Sequence, residues 1–132
     1  MKPVHVAVGV ILDSERRILI TRRAKEAHQG GLWEFPGGKV EQGETVQQAL
    51  SRELDEELSI SVSHSESLLQ VRHDYADKPV LLDVWLVSSF TGEASGMEGQ
   101  PLVWAQLSEL GDYHFPAANQ PIVEAILALK KR

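Results

Sequence analysis

The chain has 132 residues, of which 42% are hydrophobic and 24% charged, a balance that suits one folded domain with a single core spanning residues 1–132. It contains no cysteine, so disulfides, thiolate zinc sites and a thiol nucleophile are excluded together. A net charge of −6 argues against gripping polymeric nucleic acid through its phosphates, which takes a positive surface, but it leaves room for a small anion bridged by metal. The five histidines are scattered, none at ligand spacing from another. No apolar run reaches the length of a membrane span and residues 1–17 carry no cleavable signal pattern, so a cytoplasmic protein free of membrane is expected.

In chain order, residues 4–12 form an apolar, β-branched run that stops at Asp13-Ser14, and residues 18–21 follow a short charged turn. The two read as adjacent strands of a hairpin. Arg22 and Arg23 close the second strand, either solvated or positioned to hold an anion. Residues 28–31 read as a loop, 32–35 as a short strand, and Pro36-Gly37-Gly38 as a turn whose glycines let the backbone come close to a ligand.

Thr45 is a suitable N-cap, and residues 46–58 hold no Gly or Pro, which predicts a helix of about four turns. At about 100° per residue, Ala49, Leu50, Leu54 and Leu58 fall on one arc that must face the core. Glu53 and Glu57 fall between those apolar neighbours, and Glu56 flanks them. An ionised carboxylate taken out of water costs several kcal/mol unless it is compensated. A hard divalent cation with oxygen ligands removes both the desolvation and the mutual repulsion; a solvated acidic helix with an Arg52–Glu56 surface ion pair is the plainer alternative.

Beyond the helix, residues 60–62, 68–73 and 80–87 have strand character, with a turn at 74–79. Residues 88–100 read as a long irregular loop, 101–104 as a strand, and 111–121 as a second loop. Pro121 suits the first turn of a final helix over 122–129, and the basic end at 130–132 complements its dipole. Trp85 and Trp104 read as core or core-edge residues. The pattern predicts an α/β protein, a mixed sheet between helices.

Gly38, five residues, Glu44, seven residues, Arg52-Glu53-Leu54-x-Glu56-Glu57 and Ile60 together resemble the signature of the Nudix hydrolases. Ser59 departs from that pattern, standing where glycine is usual, at a cost of about 1 kcal/mol if the backbone is left-handed there. The resemblance implies a Nudix-type α/β/α sandwich, a Mg²⁺ (or Mn²⁺) requirement and release of a nucleoside monophosphate. Thr21-Arg22-Arg23, the stretch 34–39, Glu98-Gly99-Gln100 and Phe115-Pro116-Ala117-Ala118-Asn119 are similar to the MutT branch of the family, the 8-oxo-dGTP diphosphatases.

By that resemblance, Glu53, Glu56, Glu57, Glu98 and the Gly37 carbonyl bind metal, and Arg52 orients Glu53. Asn119 and the Phe35 backbone read the oxidised base, and Arg23 holds a phosphate. Glu34, Gly38 and Lys39 join the substrate-binding set, with His28 and Lys78 as further candidates. Either Glu53 or Glu98 serves as general base. Hydrolysis of CTP or another modified nucleotide, and a nucleotide-sensing module without catalysis, are the alternatives. A monomer acting on a small nucleotide is the expected form.

Overall fold

A computed structural model of the chain describes residues 2–24, 26 and 30–129. The strands are β1 (Val4–Ile11), β2 (Arg17–Arg22), β3 (Trp33–Glu34) and β4 (Gly37–Lys39), then β5 (Ser61–Asp74), β6 (Pro79–Thr91) and β7 (Leu102–Gln106). Helix α1 (Val46–Leu58) stands between β4 and β5, and α2 (Gln120–Leu129) follows two 3₁₀ turns, Leu107–Asp112 and Ala117–Asn119. One sheet has the order β4-β1-β6-β5, with β1 and β6 parallel and the other pairs antiparallel; the other is antiparallel, β3-β2-β7.

Strand alternation divides the core into two layers. Val8 and Val10 of β1 and Val84 and Leu86 of β6 pack with Ile122, Val123 and Ile126 of α2. Ala7 and Ile11 of β1 and Val87 of β6 pack with Ala49, Leu50, Leu54 and Leu58 of α1. The larger sheet is therefore sandwiched between the two helices, and Trp85 and Trp104 sit partly buried against the α1 layer.

Several sequence expectations are corrected. β1 and β2 are not a hairpin: β4 and β6 occupy both edges of β1, and antiparallel pairing toward β2 is limited to the isolated bridge Leu12↔Ile18 just past the end of β1. The Asp13 carboxylate accepts the backbone N–H groups of Glu15 and Arg17 and the Arg17 Nε at 2.8 Å, turning the chain out of one sheet into the other. Pro36-Gly37-Gly38 is not a turn, since Gly37 and Gly38 begin β4 and pair with Val8 and Ala7. The expected loop over 88–100 starts later, because β6 runs on to Thr91 and pairs with Ser61. β5 is one long strand where two short ones were expected; register shifts near His64 and between Ser67 and Leu69 interrupt its alternation, which hides its continuity.

Candidate active site

Helix α1 forms where the sequence places it. The Thr45 side chain accepts the Gln48 N–H, and the Gln48 side chain accepts the Thr45 N–H in return, a complete capping box. Ala49, Leu50, Leu54 and Leu58 are fully buried. Ser59 closes the helix in the left-handed conformation, φ 59° and ψ 37°, and donates its N–H to the Asp55 carbonyl. The inward phase of Glu53 follows: its side chain is 17% exposed, against 60% for Glu56.

What compensates Glu53 is first of all Arg52. Its Nη1 donates to Glu53 Oε1 at 2.9 Å, while Nε and Nη2 grip both oxygens of Glu44 at 2.8 and 3.0 Å, and Nη2 also reaches the Lys39 carbonyl at 3.1 Å. This fork ties the loop before the helix, the end of β4 and Glu53 into one unit. Hydrogen bonds from Arg52, with help from the Glu41 N–H, draw the Glu44 carboxyl down to about 2. Glu56 lies 3.7 Å from Arg52 and is secondary to this arrangement. On the opposite side, Glu53 lies flush against Gly38, where any Cβ would collide with its carboxylate.

Glu57 has the opposite environment. Burial, a shared hydrogen bond with Glu53, and the charges of Glu53, Glu34 and Glu98 raise its carboxyl to about 8. Glu34 is also raised by burial, an effect that Arg23 opposes through a 3.0 Å ion pair. Among the described residues no three such side chains, as placed, stand around one point closely enough to hold a metal ion. The chemistry of the set nevertheless fits a divalent cation: burial first, then the shared hydrogen bond and the charges of its neighbours, favours a proton on Glu57, and a hard cation would take that proton's place.

Glu98 joins this group from a distant part of the chain. The loop after β6 lies over the C-terminal turn of α1, where helix carbonyls lack partners within the helix. Ser95 donates its N–H to the Leu58 carbonyl and Met97 to the Glu57 carbonyl, both at 3.0 Å.

These elements enclose a cleft with two connected halves that share Arg23, Glu34 and Gly37. The acidic half, about 470 Å³, is lined by Glu57 and Glu98 together with Arg22 and Gln100. The other, about 190 Å³, is lined by Phe35, Leu82 and Ile122, with Gly38, Lys39 and Asn119. Aromatic contacts fix its wall: Phe35 stacks on Phe115 at 5.0 Å and 6°, and Trp33 meets Tyr113 edge-on at 5.3 Å. The Trp33 N–H also donates to the His114 carbonyl, so the segment leading to Asn119 is seated on β3.

Most of the candidate residues from the sequence thus line or adjoin one cleft. Lys78 does not line it; it lies at the β5–β6 turn in a separate depression with Arg72, Asp74 and Tyr75. His28 lies outside the described residues. Glu44 and Gln100 stand inside the quoted motifs without a role legible from sequence, and Leu82 and Ile122 carry no signal there, since their apolar character also suits an ordinary core.

An α/β sandwich whose helix brings a carboxylate, Glu57, into a cleft beside Glu98 and Glu34, next to a mixed half lined by Phe35, Lys39 and Asn119, defines a class, the hydrolases that bring metal to a small anionic substrate. The chain belongs to the Nudix family: a NUDIX domain model matches residues 7–125, and enzymes of this family need a divalent metal. It is 42% identical to an 8-oxo-dGTP diphosphatase of Escherichia coli over 129 residues, covering 98% of this chain and all of that one. It is also 38% identical to a CTP pyrophosphohydrolase of the same organism, over 98% of this chain and 96% of that one. Among solved structures, a MutT from work on Aliivibrio salmonicida and Vibrio cholerae shares 40% identity with a TM-score of 0.86, covering 97% of this chain and 99% of that one. The solution structure of the E. coli ORF135 protein shares 37% with a TM-score of 0.87, covering 98% and 92%.

Proposed function

We propose that this Nudix hydrolase cleaves 8-oxo-dGTP to 8-oxo-dGMP and pyrophosphate, cleansing the nucleotide pool of a mutagenic precursor. The reading rests on one observation above all, the joining of a carboxylate-lined half to a half lined by Phe35 and Asn119 through shared Arg23, Glu34 and Gly37. A nucleoside triphosphate has the matching parts, a polyanion suited to metal held by carboxylates and a flat base whose faces suit Phe35, Leu82 and Ile122 and whose polar edge suits Asn119. The near full-length similarity to an 8-oxo-dGTP diphosphatase supports the same substrate.

A divalent cation such as Mg²⁺, or Mn²⁺ in its place, would when bound supply charge to offset the polyphosphate and acidify a water. Glu53, Glu56, Glu57, Glu98 and the Gly37 carbonyl would hold it. Arg23 holds a phosphate, and Arg52 fixes Glu53 against Gly38. Water attacks the β-phosphorus, the bond from that phosphorus to the α–β bridging oxygen breaks, and the proton of the water passes to Glu53 or Glu98. Asn119 offers a donor and an acceptor to the base edge, beside the backbone of Phe35. A monomer in the cytoplasm, with neither a membrane nor polymeric nucleic acid as partner, completes this reading.

The test is a nucleotide panel scored for pyrophosphate against orthophosphate, run on the wild type and on Asn119→Ala. Pyrophosphate release with 8-oxo-dGTP preferred over dGTP is expected. Asn119→Ala should lose about ten- to a hundredfold in kcat/KM on 8-oxo-dGTP and much less on dGTP, because a buried group left unpaired costs about 1–3 kcal/mol. A second reading, CTP as substrate, is favoured by the 38% identity to a CTP pyrophosphohydrolase, and a preference for CTP across the panel would establish it instead.

A further inference from the structure

The segment that carries Glu98 is held to helix α1 by more than its two backbone hydrogen bonds. The Gln100 side chain uses both ends of its amide: Oε1 accepts the Glu98 N–H at 2.9 Å, and Nε2 donates to the Glu57 carbonyl at 3.3 Å. One side chain thus joins the backbones of two acidic residues 41 positions apart in sequence. The turn around it is tight, since Gly99 donates to the Gly96 carbonyl at 3.0 Å and a Cβ on Gly96 would collide with the Gln100 carbonyl. Gln100 also lines the acidic half of the cleft with Glu57 and Glu98.

We propose that Gln100 is a positioning residue that sets Glu98 against the C-terminal turn of α1 and so fixes the spacing of Glu98 from Glu57. The proposal rests on the reading of Glu98 as part of the hydrolytic site. No other side chain type offers this bridge as well. Glutamate accepts from Glu98 but cannot donate to the Glu57 carbonyl, methionine fills the space and does neither, and asparagine is one methylene short of reaching both partners. The Met97 N–H already satisfies the Glu57 carbonyl, so the bridge is not required merely to pair that oxygen. Its distinctive contribution is to hold the Glu98 backbone.

Two measurements test this. In metal-free protein, Gln100→Met and Gln100→Asn should both speed amide hydrogen exchange at Glu98 while leaving the buried amides of β1 and β6 unchanged. In steady-state turnover on the preferred nucleotide with Mg²⁺, each should lower kcat about tenfold, as loss of an outer-shell partner does, and adding Gln100→Met to Glu98→Gln should cost nothing further. Unchanged Glu98 exchange in both Gln100 variants would overturn the bridge itself. Losses that multiply in the double variant would overturn its action through Glu98. Wild-type turnover in Glu98→Gln alone would instead remove Glu98 from the proposed reaction, an outcome that exchange at the Glu98 amide distinguishes from failure of the bridge.

Discussion

Gly38 and Glu53 occupy one space: the carboxylate of Glu53 lies where a side chain on residue 38 would begin. The obstructing group is the end of a flexible side chain, so Gly38→Ala should fold with a melting temperature within a few degrees of wild type and displace Glu53. Turnover should fall about a hundredfold, since a misplacement of about 1 Å near the reacting groups has that effect. Gly37→Ala provides the contrast. Gly37 has φ 154°, and its missing Cβ would strike the backbone carbonyl of Ala7, which cannot move without breaking the β1–β4 pairing. It should lose about 3 kcal/mol of stability or more, measured by chemical denaturation.

Arg52 should tolerate no substitution that keeps only its charge. A lysine provides a point charge without the planar fork that holds Glu44 and Glu53 at once. Arg52→Lys is expected to reduce kcat about 10- to 100-fold while leaving the helix content measured by circular dichroism unchanged. Glu44→Gln should share much of the defect, because it loosens the same fork from the other side.

The raised carboxyl of Glu57 makes two pH-dependent predictions. In metal-free protein the folded state retains a proton up to about pH 8 that the unfolded chain releases near the ordinary value of 4.5. The stability tied to that proton is fully present below 4.5 and is lost as pH rises through 8. The melting temperature of metal-free wild type should therefore fall over that window relative to Glu57→Gln. Binding of Mg²⁺ should displace the proton: calorimetry in buffers of different ionisation enthalpy should detect proton release at pH 7 and almost none at pH 9.5.

Ser59→Gly should stabilise the protein. Serine at φ 59° bears a steric cost that glycine does not, about 1 kcal/mol, equivalent to about 4 °C in melting temperature for a domain of this size. The gain should appear in thermal unfolding with kcat unaltered, since the Ser59 N–H already closes the helix on the Asp55 carbonyl and glycine retains that donor.

The amino-acid sequence by itself determined most of helix α1: its capped start at Thr45, its buried arc, and the inward phase of Glu53 and Glu57. Those features depend on contacts within a few residues, so the 3.6-residue period and local capping chemistry suffice to read them. Tertiary structure decided the rest. Whether Pro36-Gly37-Gly38 turns or pairs depended on β1 offering it an edge, and whether β1 paired with β2 depended on β4 and β6 having taken both of its edges. The cleft required segments far apart in the chain to meet: the loop after β6 docks on the end of α1, and the segment before α2 is seated on β3. No local pattern reports such meetings, because strand partners and loop docking are chosen by competition among distant surfaces for the same edges and unpaired carbonyls.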